Sequence, residues 1–366
     1  MWNNLPFDLL ANIFSYLSPD SLARAKAACR SWRATADMAV LAVHHHYPPW
    51  FVALPTRSRG LSCYIHNSIG QNWHVLPLDH ISSPIRPIAT IGGLILVKIT
   101  GTTYLQLAIC NPFTRQFRAL PMLNVTRTNP AVGLVENDSI KELRSFGFKI
   151  YVAGGMSEAA SSGGAVYQSN VEIYDSDRDT WQIIGSIPIE FSVRLTVWTP
   201  NQSVYSKGIL YWMTSARAYS VMGFEIETNR WRELSVPMAD RLEFAALVPR
   251  NGNPTIIGGT CGGDACIWEL GEGHIWNVVE KLPIELGIRL LGDKPNWGSV
   301  KCVGIDGAIC LYRDIGAGVI IWKEVKEKWE WDWIEGCRSI RGKEMQNFPI
   351  KGLLIHPNIS HFSSIF

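Results

Sequence analysis

Two hydrophobic periods divide the chain. Between Leu5 and Arg33 the apolar residues follow a helical spacing, with Leu10, Ile13, Phe14 and Leu17 at i, i+3, i+4 and i+7, so four large side chains share one helical face. Ser18, Pro19 and Asp20 then carry helix-start chemistry, a capping hydroxyl followed by proline and an acid in the first turn. They predict a second helix directly after the first. Leu22, Ala25, Cys29 and Trp32 continue the stripe. About forty residues bury too little surface to be stable alone, so the stripe must dock on something else.

After Trp50 the pattern changes to short apolar runs separated by turn residues. The clearest unit starts with Ile150 to Ala153, a run that predicts a buried strand, followed by Gly154 and Gly155, where the backbone can turn sharply. VEIYDSDRDTWQIIGSIP then places Tyr174 and Trp181 on the two strands of a hairpin around Asp175 to Thr180. The same grammar returns. Cys110 to Phe117, Tyr174 to Trp181, Phe224 to Trp231 and Trp322 to Trp329 are each seven apart, Trp268 to Trp276 is eight and Tyr64 to Trp73 is nine. A proline closes five of these six units, at Pro77, Pro121, Pro188, Pro237 and Pro283.

Small sheets repeated in this way cannot each bury both faces, so they stack radially. The predicted fold is a small all-α N-terminal domain of about three helices followed by an all-β six-bladed β-propeller. Apolar strands ending in proline, LTVWTP to Pro200 and AALVP to Pro249, lead into the middle blades, and GLLIHP to Pro357 repeats that pattern with no seventh unit to follow. The strand at about 350–357 is therefore expected to join the first blade and close the ring. Periodicity is lost from Asp37 to Pro49, which divides residues 1–47, helical domain and linker, from the propeller at residues 48–366.

Composition narrows the function. With 34 Lys plus Arg against 32 Asp plus Glu, no strong field favours nucleic acid or an anionic membrane, and GGLILVKIT is broken too early by Lys98 to span a bilayer. Eight dispersed cysteines and no signal peptide predict free thiols in the cytoplasm and/or nucleus. His44, His45 and His46 cannot all face one ion from a regular element, and Cys261/Cys266 and Cys302/Cys310 lack structural-zinc spacing, so no metal and no cofactor are expected. Trp329, Trp331 and Trp333 alternate with acids and read as interblade core rather than a sugar platform. No nucleophile elbow, phosphate loop or paired-carboxylate constellation is present, so the chain is expected not to be an enzyme.

The N-terminal stretch is similar to the F-box: Leu5, Pro6, Leu9, Ile13, Leu17, Leu22, Cys29, Trp32 and Arg33 match that motif in type and spacing, with Ala28 standing where the family prefers a larger aliphatic residue. The resemblance implies docking on a Skp-type adaptor, and through it on a cullin and a RING subunit, by Leu5, Pro6, Leu9, Leu10, Ile13, Leu17, Leu22, Cys29 and Trp32. The units with Gly154, Gly155, Tyr174 and Trp181, and with Gly258, Gly259, Trp268 and Trp276, resemble the kelch repeat. The combination resembles the F-box/kelch proteins, a layout frequent in plants, and PPWFVALP at 48–55 is similar to that plant group. Such a chain is expected to be the substrate receptor of a Skp-cullin-F-box ubiquitin ligase, holding a target protein for ubiquitination and degradation. A non-ligase kelch scaffold and a small-molecule-gated receptor are the alternatives.

An arginine follows each closing proline, at Arg86, Arg127, Arg194, Arg241 and Arg289, and Arg217 and Arg313 lie in loops after the glycine positions. Together with the Ser157 to Gly164 loop, these seven arginines are the expected target-binding set. Guanidinium forks favour an acidic or phosphorylated segment.

Overall fold

A computed structural model of the chain describes residues 5–17, 19–42, 48–56, 62–136, 147–157, 164–197, 203–216, 218–292, 296–340 and 342–357. Three helices come first: α1 (Phe7–Ser15), α2 (Pro19–Ala28) and α3 (Arg30–Ala42). Leu10, Phe14, Leu22, Ala25 and Ala36 form their core, with Leu5, Leu17 and Trp32 packed against it. Phe14 meets Trp32 edge to face, ring centres 5.3 Å apart.

Six four-stranded sheets follow. Blade 1 combines residues 50–77 with the strand Ile350–Ile355; blades 2 to 6 occupy residues 85–119, 131–186, 203–235, 242–281 and 301–334. The first strand of each sheet touches the first strand of the next, and blade 6 returns to Ile350–Ile355. These six strands therefore ring a central channel, and the fourth strands face outward. Ile350–Ile355 pairs antiparallel along the whole of Trp50–Pro55, so both ends of the propeller complete one blade and the sheet edge there is covered.

Local chemistry explains the repeat. The outer turns of blades 1 to 4 end in a left-handed residue, Gln71, Arg115, Asp179 and Asn229, with φ between 49° and 59°. With Asp175 opposite Thr180 across such a turn, Tyr174 falls opposite Trp181; Cys110 meets Phe117 and Phe224 meets Trp231 in the same way. The other three expected pairings differ. Trp73 lies opposite His66, because blade 1 keeps the same turn and so pairs residues seven apart rather than nine, whereas Trp276 falls opposite Leu270 and Trp331 opposite Trp322 because the turns of blades 5 and 6 differ in length.

The two glycine pairs do different work. Gly154 and Gly155 have φ of +68° and +95° and turn the chain out of its strand. Gly258 and Gly259 stay within the strand Asn253–Thr260; a Cβ on Gly259 would meet Trp297 at 2.3 Å, so absence of a side chain, not a turn, is what that position requires.

LTVWTP is not a strand. Its described part belongs to helix α4 (Ile189–Val197), and the next-but-one interblade connection forms helix α5 (Ile284–Leu291). Packing of Ser192 and Leu195, 0% and 1% exposed, overrides the strand preference of the β-branched residues around them. The described part of the chain contains no helix long and apolar enough to cross a membrane.

The tryptophan stripe packs between blades 5 and 6. Trp331 stacks on Trp322 at 5.2 Å, and the Arg250 guanidinium lies over Trp322 and Trp329 at 5.0 and 4.9 Å. The cysteines Cys63, Cys110, Cys302 and Cys310 are buried free thiols. Burial pushes Cys63 and Cys110 up to about 12 and raises Cys302 and Cys310 as well, which keeps them protonated and unreactive.

Candidate interaction surfaces

Helix α1 is apolar on two sides. Leu10 and Phe14 point into the helical core at 4% and 3% exposure, whereas Leu9, Ile13 and Tyr16 remain 46%, 36% and 67% exposed, with Phe7 at 47% beside them. Positions 9, 13 and 16 share one helical face, so an apolar stripe stands in water. Pro6 precedes the helix and its carbonyl accepts from the Leu10 backbone N–H at 3.0 Å. Cys29 sits between α2 and α3, where its Sγ accepts from the Trp32 backbone N–H at 3.4 Å.

Two of the adaptor-docking residues expected from the resemblance are corrected by this arrangement. Leu10 and Leu22 are each 4% exposed; they support the surface from behind and are not available to a partner. Leu5, Leu17 and Trp32 are partly buried, and Leu9, Ile13, Pro6 and Cys29 are exposed.

The propeller has two unlike ends. At one, the hairpin turns joining first to second strands in blades 2, 4, 5 and 6 are short, such as Lys207–Gly208 and Asn251–Gly252 with positive φ at both residues, while most of that connection in blade 3 lies outside the described residues. The connections between blades and those between second and third strands emerge at the opposite end, which carries α4, α5 and the six described arginines of the expected set. The helical domain joins at Trp50, which pairs with Ile355, at the end with the short turns.

The six described arginines share an end but not a role. Arg127 is 0% exposed. It donates to the carbonyls of Val125, Gly154 and Asn170 at 3.2, 3.1 and 2.7 Å and pairs with the equally buried Glu172. Burial pushes its pKa down, and Glu172 opposes that. Glu172 in turn accepts from the backbone N–H groups of Asn124 and Val125 at 2.8 and 3.2 Å. Arg127 therefore ties an irregular connection to blade 3 and is removed from the binding set.

Arg194 grips Glu233 with two bonds of 2.9 and 2.7 Å, joining α4 to the outer strand of blade 4. That grip holds the Glu233 carboxyl below its ordinary range, against the effect of burial. Arg289 pairs with Glu335 and lies over Trp333 at 4.2 Å. Arg313 donates to the carbonyls of Leu290 and Leu291 at 3.4 and 2.9 Å, closing the C-terminal end of α5. These three are structural fasteners rather than an open ring. Arg86 and Arg241 are exposed; Arg217 and residues 158–163 lie outside the described residues. The physical reasons differ: Arg127 and Arg313 supply donors to carbonyls that irregular connections leave without strand partners, whereas Arg194 and Arg289 tie their helices to blades through carboxylates.

Sequence reasoning passed over Lys98, Lys301 and Lys351. Their positions near the ends of the first and second strands of their blades were the available signal.

Comparison with known proteins agrees with this architecture. Residues 2–44 match the family described as F-box-like. Residues 64–248, just over half of the chain, match the family described as F-box associated beta propeller domain. F-box only protein 6 of Arabidopsis thaliana is 24% identical over 94% of this chain and 72% of its own length. The Protein UNUSUAL FLORAL ORGANS of the same plant is 21% identical over 90% of this chain and 78% of that protein. An Arabidopsis thaliana F-box/kelch-repeat protein is 23% identical over 94% and 84%.

Proposed function

This chain belongs to the F-box proteins that carry an F-box associated β-propeller, and from that premise we propose that it is the substrate-recognition subunit of a Skp-cullin-F-box ubiquitin ligase. The observation that carries the proposal is the exposed stripe of Leu9, Ile13 and Tyr16 on a helix whose other side is already buried. Large apolar residues held in water at helical spacing serve a partner, and the family's partner is a Skp-type adaptor, which brings cullin and RING subunits with it. In this reading the blades are of kelch type. The end bearing the long connections takes the target protein, facing away from the end at which the adaptor-binding helices join.

The chain then works in the cytoplasm or nucleus by proximity and contributes no catalytic group. A tethered target meets the ubiquitin-charged enzyme at a high effective concentration, which replaces a bimolecular encounter. The test is the double variant Leu9→Ala, Ile13→Ala. Truncating a hot-spot apolar residue costs about 2 kcal/mol or more, so the pair weakens adaptor binding roughly a thousandfold if additive. Both side chains are exposed, so the melting temperature stays within about 1 °C of wild type. Adaptor pull-down at wild-type levels by this variant refutes the proposal.

A further inference from the structure

Three consecutive blades place a cation at one mouth of the channel. The innermost strands of blades 6, 1 and 2 open with Lys301, Ile350–Lys351 and Ile85–Arg86, and they touch one another in that order. Lys98 is the cross-strand neighbour of Arg86. The innermost strands of blades 3, 4 and 5 open with Ala131, Ser203 and Leu242 and carry no cation at their first two positions. Glu243 of blade 5 is already engaged, accepting the Trp297 backbone N–H at 3.0 Å. At these positions the cations fall on blades 6, 1 and 2, with the exposed Arg241 preceding the innermost strand of blade 5.

These cations differ from the arginines at the same end. Lys301 Nζ donates to the Ile350 carbonyl at 2.6 Å, which leaves two of its N–H donors and sets it one residue from Lys351. Lys98 Nζ reaches the neutral Asn129 side chain at 3.4 Å. Among the described residues, none of Arg86, Lys98, Lys301 and Lys351 forms an ion pair, whereas Arg127, Arg194 and Arg289 all do. Lys98, Lys301 and Lys351 are also half-buried. Burial, then the neighbouring cation, pushes down the pKa of Lys98 and of Lys351, the latter to about 8; burial lowers Lys301, and Asp314 opposes it. Partly desolvated ammonium groups with spare donors and too little negative charge nearby favour an incoming anion.

We propose that Lys301 and Lys351 bind a phosphate group at the channel mouth, with Arg86 and Lys98 extending the basic side. Two ammonium groups match the charge of a phosphate dianion, and their spare N–H donors match its oxygens. The phosphate comes either from a phosphorylated residue of the target or from a small free polyphosphate. This site deepens the target-receptor reading given above and rests on it.

The test uses the full chain in complex with its adaptor and two probes, inorganic phosphate and tripolyphosphate. Tripolyphosphate is expected to raise the melting temperature of the wild type and to bind at least about tenfold more weakly to Lys301→Met, Lys351→Met. That variant relieves the repulsion between two cations but also loses the Lys301 bond to the Ile350 carbonyl, so its own melting temperature is expected within a few degrees of wild type and affinity is compared on the folded protein. Should it fail to fold, protection of Lys351 in the wild type against reductive methylation by the same probe gives the answer. No thermal shift and no protection in the wild type, or equal affinity in the folded variant, overturns the site. Target capture that falls after phosphatase treatment of the lysate identifies a target-borne phosphate; capture that requires added tripolyphosphate identifies the free ligand. Capture that persists while neither probe binds refutes this site and leaves the receptor reading standing, whereas loss of adaptor binding strikes that reading instead.

Discussion

The helical domain and the propeller treat their adhesive residues in opposite ways. In the first, α1 leaves Leu9, Ile13 and Tyr16 in water although a core lies on its other side. In the second, groups that read as surface binders are turned inward: Arg127 meets Glu172 with both side chains 0% exposed, and Arg194 and Arg313 hold helices to blades. One region leaves large apolar groups exposed; the other uses its charged groups on irregular connections. Apolar exposure therefore points to binding here, whereas arginine counts do not.

The comparison breaks most severely if the propeller does not depend on inward contacts. Deleting residues 350–366 removes Ile350, Leu353, Leu354 and Ile355, all at most 1% exposed. At about 1.5–3 kcal/mol for each buried side chain, the loss is comparable with the roughly 5–15 kcal/mol that holds a folded protein together. Loss of the cooperative melting transition and aggregation are expected in light scattering, and an unchanged transition contradicts the inward account.

Arg127→Ala comes next. It strands the buried Glu172 carboxylate at a cost of about 3–5 kcal/mol, which lowers the melting temperature by roughly 5–8 °C. A smaller shift than that of Arg194→Ala would reverse the roles assigned to the two arginines.

His66 sharpens the picture through pH. It is 4% exposed and lies against Trp73 at 5.3 Å. Burial, then the nearby His74, pushes its pKa down to about 4, with Asp332 opposing. The unfolded chain thus binds the proton more readily than the folded one, so stability falls as pH drops below about 6.5 and the loss is complete below about 4. The full effect is about 3 kcal/mol, and His66→Phe should flatten the dependence of the melting temperature between pH 6.5 and 4. The smallest effect belongs to Arg194→Ala. Its pair with Glu233 is partly exposed, 25% and 41%, so the expected cost in urea unfolding is about 1 kcal/mol or less.

Periodicity made much of this legible. The helical stripe and the seven-residue aromatic spacing each follow from one geometric rule, 3.6 residues per turn for the first and a turn ending in a left-handed residue for the second. What was not legible depended on distant neighbours. Nothing near Arg127 in sequence announces Glu172, which lies 45 residues away, and Glu233 is 39 from Arg194. On α1 the period marks apolar positions without saying which of two apolar sides meets the rest of the domain, so Leu9 and Leu10 were both expected at the adaptor surface and of the two Leu9 is the exposed one. The helices α4 and α5 were missed although each begins after a proline with a glutamate in its first turn, Glu190 and Glu285; strand-forming residues inside them masked the signal. The closing strand was legible because GLLIHP repeats a pattern with no unit left to follow it.

Closure by Ile350–Ile355 also sets a timetable. During synthesis the three helices leave the ribosome before the blades, and the native strands of blade 1 up to Pro77 follow soon after. Their remaining neighbour, Ile350–Ile355, is made some 273 residues later (350 − 77), a delay of roughly 15–55 s at about 5–20 residues per second. A nascent chain can therefore present the exposed stripe of α1 while its ring is still open. Any chain that stops early carries the docking signal without a finished receptor.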